Sequence, residues 1–201
     1  MRWKPWLIFA CTLVAIALVT AFAPLEKTLG ERIRLVYLHG AWVWAGKIAF
    51  ACAALAGLAA LVTRSQKRSG WSLALGRAGL VIWLTYLPMS LVVQQVNWGG
   101  IFWDEPRWRI PLAFGVAALL IQAALWLFNQ PFIASAVNLV FGVALWWVLG
   151  GIENILHPDS PIFQSGSVRI QVFFVLLLLL ALFLAGQITL LFHRASQPKT
   201  D

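Results

Sequence analysis

Between Pro5 and Leu25 the chain carries no charged residue, a run of 21 positions. As an α-helix that run rises about 31 Å, which matches the hydrocarbon layer of a bilayer. Five further apolar runs follow it, separated by polar connections. Lipid offers backbone groups no hydrogen-bond partner, so each run is expected to close its own bonds as a helix. The sequence therefore predicts an all-α integral membrane protein, a six-transmembrane-helix bundle with spans at about 5–25, 35–62, 71–93, 110–128, 132–149 and 168–192. Residues 1–201 form this one domain, with two long connections at 94–109 and 150–167. A cleaved signal peptide is the rival reading of the first run, because Ala21-Phe22-Ala23 has the form of a cleavage site. The length of the run, and Pro24 directly after the cut, favour a retained helix.

Composition narrows the function classes. The chain is 61% hydrophobic and 11% charged, with a mean hydropathy of +0.83, which is the composition of a membrane protein. Its net charge of +8 sits in short blocks between apolar runs, where basic residues set topology rather than grip nucleic acid. The 12 tryptophans cluster near the ends of apolar runs, as suits rings that favour the lipid headgroup layer. Cys11 and Cys52 lie inside spans without a CxxC partner. Neither a disulfide scaffold, a thiol redox site nor covalent haem attachment is expected of them; small apolar filling is.

The second span is rich in alanine and glycine, and small residues let helices approach closely, so it should pack inside the bundle. Asn138, near the middle of the fifth span, should face protein, because lipid gives an amide no partner. The leucine block Leu176–Leu180 is expected to face lipid. An even number of spans puts both termini on one side. Arg2, Lys4, Arg64, Lys67, Arg68, Arg194 and Lys199 then share that side, while Glu26, Glu31, Asp104, Glu105, Glu153 and Asp159 share the other. The acid-free turn Arg64-Ser-Gln-Lys67-Arg68 marks the inner face, so both termini are expected to be cytoplasmic.

That topology gathers three features on the outer face. The stretch Trp98–Arg109, WGGIFWDEPRWR, is the only long interruption in the middle of the apolar sequence. His39 lies 25 residues from Arg64, about 37 Å along a helix, which brings it to the outer headgroups. His157 follows Gly150-Gly151 and reaches the same surface. Two imidazoles from different segments, flanking an aromatic loop, form a candidate bis-histidine clamp for haem, whose iron takes axial ligands from both sides of the ring plane. Tryptophan faces suit the flat macrocycle, and Arg34, Arg107, Arg109 and Arg169 are available for its propionates. The plainer readings are interfacial histidines bonded to backbone or water, and tryptophans of an aromatic belt. Asp104 and Arg107 are expected to pair and hold the loop under either reading. No serine or cysteine stands beside a histidine as a nucleophile would, no carboxylate pair is isolated, and no glycine-rich phosphate loop occurs. No enzyme activity is expected. Mid-membrane positions offer only Asn138, Gln122, Lys47 and Thr85 as polar side chains, a thin lining for a channel.

The same residues carry a resemblance. Phe22-Ala-Pro24 is followed by Arg32-Ile-Arg-Leu-Val-Tyr37-Leu-His39. The loop reads Trp98-Gly-Gly-Ile-Phe-Trp103-Asp104-Glu-Pro-Arg107. Val137-Asn138-Leu139 leads through Trp146-Trp147 to Asn154-Ile-Leu156-His157. In that order these resemble segments of the cytochrome c assembly family of membrane proteins, haem-handling type, above all its haem export and delivery members. The loop resembles the family's tryptophan-rich "WWD" signature. It is one residue shorter between Trp98 and Asp104, one longer between Asp104 and Arg107, and has Ile101 and Phe102 where tryptophans are usual.

The resemblance implies a bacterial inner-membrane protein, its site facing the periplasm, that holds haem b noncovalently and delivers it for cytochrome c maturation. It implies His39 and His157 as the axial iron ligands. Trp98, Gly99, Trp103, Asp104 and Arg107 would belong to the haem-cradling loop, with Phe102 as a further ring able to stack. The implied partners are a periplasmic haem chaperone and an ATP-binding transporter with small membrane subunits. The altered loop keeps a second reading open: a non-catalytic structural or assembly subunit of a larger respiratory or cytochrome-containing membrane complex.

Overall fold

The computed structural model describes residues 4–128, 130–152, 162–163 and 165–196. Among these it has six α-helices and no sheet: α1 (Lys4–Ala21), α2 (Ile33–Thr63), α3 (Gln66–Trp98), α4 (Pro106–Phe128), α5 (Pro131–Gly150) and α6 (Val168–Ala195). All six are long and apolar enough to cross a bilayer, and the chain is a multi-pass membrane protein. Exposed tryptophans mark both ends of the bundle, Trp6 and Trp126 at one and Trp103 and Trp147 at the other, as in the aromatic belts of membrane proteins.

Helix ends follow capping chemistry rather than the limits of the apolar runs. α3 starts at Gln66 because the Ser65 hydroxyl accepts from the Arg68 N–H (3.5 Å), an N-cap. It runs on through Gln94, Gln95 and Asn97, where nothing breaks it. It stops where Gly99 takes a left-handed conformation (φ 72°) and donates its N–H to the Gln95 carbonyl. α4 begins at Pro106, whose fixed φ suits a first helical residue, and the Glu105 carbonyl accepts from the Trp108 and Arg109 N–H groups. The expected 94–109 connection therefore shrinks to 99–105.

α2 and α3, joined by the tight turn Arg64-Ser65, form the central pair. Ala41, Ala45, Ala49, Ala53 and Gly57 recur every fourth residue of α2 and all are buried, so one helical stripe presents no bulk and neighbours close in. A Cβ on Gly57 would lie 2.5 Å from the Ser135 carbonyl oxygen of α5. A Cβ on Gly142 of α5 would lie 2.7 Å from the Ala54 Cβ. α4 and α5 pack on one flank of the central pair, and α1 and α6 on the other. Among the described residues no contact joins the two flanks.

The polar side chains within the spans are engaged between helices. The Asn138 amide donates to the Ser72 carbonyl (3.0 Å) and accepts from Gln122 (3.2 Å). The Thr85 hydroxyl accepts from the Trp42 indole (3.0 Å). The Lys47 ammonium lies 4.6 and 4.4 Å from the ring centres of Trp44 and Trp146. The leucine block departs from expectation: Leu176 and Leu179 face outward, but Leu177 is core. Five consecutive helical residues sweep more than one turn and cannot share a face. Cys11 and Cys52 are exposed on the outward surface.

Candidate functional site

Two indole hydrogen bonds align the helices at the end that carries the 99–105 loop. Trp42 of α2 donates to Thr85 of α3 (3.0 Å), and Trp83 of α3 donates to the Pro111 carbonyl of α4 (2.9 Å). His39 stands one turn beyond Trp42 toward that end, and Arg107 one turn beyond Pro111, about 5 and 6 Å along the respective axes. Both therefore reach the level of Leu87 on α3. There the half-buried His39 ring lies against Tyr86, with centroids 5.2 Å apart and planes at 41°. Tyr86 is itself buried and also packs on Trp83 (5.1 Å). Arg107 is half-buried. His39, Tyr86 and Arg107 thus bring imidazole, phenol and guanidinium groups to one level of the bundle.

The loop returns beside α3 instead of standing off it. The Phe102 N–H donates to the side-chain carbonyl of Gln94 (2.9 Å), which is buried. Glu105 is buried too, and its carboxylate accepts from the Arg107 N–H (3.4 Å), a favourable place for negative charge at the start of α4. Between these anchors Ile101, Phe102 and Trp103 form an exposed apolar tip, with Trp103 60% exposed. The Trp103 ring meets Trp108 edge-on (6.2 Å), but Trp108 is buried on α4 and is no part of the exposed loop.

The residues singled out from the sequence take different parts. Phe102 and Trp103 offer open ring faces. Trp98 is half-buried in the last turn of α3. Gly99 makes the helix cap. Asp104 pairs with Arg109 (3.4 Å), exposed on both sides, rather than with Arg107 as expected. The reason is where α4 starts: two residues apart on a helix point about 200° apart, so Arg107 turns inward and Arg109 outward. His157 lies outside the described residues, as does the neighbouring stretch 153–161. Tyr86 and Gln94 were not legible as site residues, because their adjacency to His39 and Phe102 depends on helix register and loop path.

Among the described residues no group of three His, Cys, Asp or Glu side chains could hold a bare metal ion. Haem asks for a different set: an axial imidazole, apolar ring faces and a guanidinium for a carboxylate. His39, Phe102 with Trp103, and Arg107 are of those types at one end of the bundle, so the donor set fits that group. Among known proteins, no family model and no curated protein matches the chain.

Proposed function

We propose that the protein holds haem noncovalently at the end carrying the 99–105 loop and passes it on during cytochrome c maturation. The observation that carries this reading is the His39 imidazole, half-buried against Tyr86 and level with Arg107, at the same end as the exposed Phe102 and Trp103 rings. Haem is the cargo. His39 and His157 would ligate its iron, Phe102 and Trp103 would lie against the macrocycle with Trp98, and Arg107 would neutralise a propionate. Gly99 and the Asp104–Arg109 pair keep the loop in shape. Two imidazoles and no covalent bond suit a carrier, since cargo held this way can leave intact. On this reading the loop end faces the periplasm of a bacterial inner membrane and both termini face the cytoplasm. A periplasmic haem chaperone receives the haem, and an ATP-binding transporter with small membrane subunits works alongside.

The test is the absorption spectrum of the purified chain, oxidised and reduced, with and without added haem. The parent should show a low-spin b-type spectrum, and His39→Ala with His157→Ala should abolish it. Phe102→Ala or Trp103→Ala should weaken haem binding without changing the iron coordination. Retention of haem by both histidine variants at the parent's affinity would sink the ligand assignment. A second reading, the structural or assembly subunit, is favoured by the apolar exposure of Ile101, Phe102, Trp103 and Trp147, the last 82% exposed. It predicts no haem uptake by the parent and a copurifying membrane partner that is lost with Trp103→Ala.

A further inference from the structure

At the loop end of the bundle, the link between α1 and α2, Arg34 of α2 and the start of α6 line an open pocket of about 570 Å³. One wall is apolar, the segment from Phe22 to Leu25. Two guanidiniums line the pocket from different helices, Arg34 of α2 and Arg169 of α6, with Ser167 beside them. Arg34 is held at the wall by a bond from its Nε to the Ala23 carbonyl (3.4 Å). Its acidic neighbour Glu31 is 3.7 Å away, with a side chain 78% exposed, so that pair is weakened by water and leaves the charge of Arg34 largely uncompensated. Arg169 sits in the first turn of α6, where N–H groups have no acceptor within the helix and the helix dipole adds positive potential.

The depth of the pocket says what kind of anion reaches it. α1 is 18 residues long, about 27 Å, so its end lies at the edge of the hydrocarbon layer. Phe22, one residue past that end, is 73% exposed, and Leu25 is 54% exposed. An anion at this level with apolar chains attached would meet charge in the pocket and apolar surface at its mouth. A soluble anion would use only the first of these. Basic pockets between membrane helices bind lipid phosphates by the same means.

We infer that this pocket binds an anionic phospholipid, its phosphate between Arg34 and Arg169 and its acyl chains against Phe22 and Leu25. The inference does not rest on haem binding. It removes Arg34 and Arg169 from the groups available to a propionate and leaves that part to Arg107.

The full chain in a mild detergent tests it, by native mass spectrometry and thermal unfolding, with phosphatidylglycerol, phosphatidylcholine or inorganic phosphate added in turn. Phosphatidylglycerol should stay bound and raise the midpoint by several degrees, and phosphatidylcholine at the same concentration should do neither. Arg34→Gln with Arg169→Gln should reduce phosphatidylglycerol retention about tenfold or more, the loss of charge-assisted bonds. Lysine at both positions should restore part of it, and Lys67→Gln with Arg68→Gln at the opposite end should leave it unchanged. If the double variant does not fold, Arg169→Gln alone, at an exposed position, should still weaken retention. Equal retention of the two lipids, or full retention by the arginine variants, overturns the inference. So does a midpoint shift produced entirely by inorganic phosphate, which would make the site one for a soluble anion. The haem spectrum, recorded on the same samples, reports separately on the cargo site.

Discussion

Gly99 holds φ at 72° and closes the last turn of α3 through its N–H. An L side chain there costs about 1 kcal/mol. Gly99→Ala should lower the thermal midpoint by that measure and leave the spectrum of any bound haem unchanged, since no Gly99 atom is assigned to the iron. Glu26, in the link after α1, makes a second local bond of this kind. Its carboxylate accepts from the Leu29 and Thr28 N–H groups (2.8 and 2.7 Å), and the Leu29 bond foremost holds its pKa below the ordinary 4.5. The fold therefore favours the ionised form. Its contribution is full above the unfolded value and is lost as pH falls through the lower folded value. Glu26→Gln should melt below the parent at about pH 6 and converge with it in acid; equal midpoints at the higher pH would mean the amide bonds need no charge. At this scale the sequence is legible only in part. Asp104 and Arg107 stand three apart and invite pairing, yet the start of α4 hands the pair to Arg109.

At the scale of elements, the buried alanine stripe of α2 explains why a helix so poor in large side chains sits at the centre. Its smallness was legible as a mark of close packing, and Asn138 was legible as a protein-facing amide. The ends of α3 were not, because an apolar run measures the membrane while a helix continues until a cap or a breaker stops it. The packing makes a sharp prediction. Gly57→Val would press a side chain on the Ser135 carbonyl, backbone that yields only if α2 and α5 separate, and overpacking of this kind costs about 1–3 kcal/mol. A Cβ on Gly186 of α6 meets nothing within 4 Å, so Gly186→Ala should be neutral or slightly stabilising in the same unfolding assay.

At the scale of the whole molecule, six spans were legible because length and hydropathy alone define them. The shared level of His39, Tyr86 and Arg107 was not, because it depends on how far each helix slides along its neighbour. The sidedness proposed above rests on the basic turn Arg64–Arg68 and has its own test. In a background of Cys11→Ala and Cys52→Ala, a membrane-impermeant maleimide applied to intact cells stripped of their outer membrane should label Asp104→Cys and spare Gln66→Cys. The reverse pattern would turn the bundle over and move the proposed site to the cytoplasm.

The separation of the two flanks has a further consequence. Substitutions on α1 or α6 and on α4 or α5 that touch no common residue of α2 or α3 should therefore have additive free energies, within about 0.5 kcal/mol. Among the described residues, helix packing joins the two sides only through the central pair. One side of the molecule can then exchange lipid or a subunit while the opposite side keeps its own affinities, unless α2 or α3 itself moves.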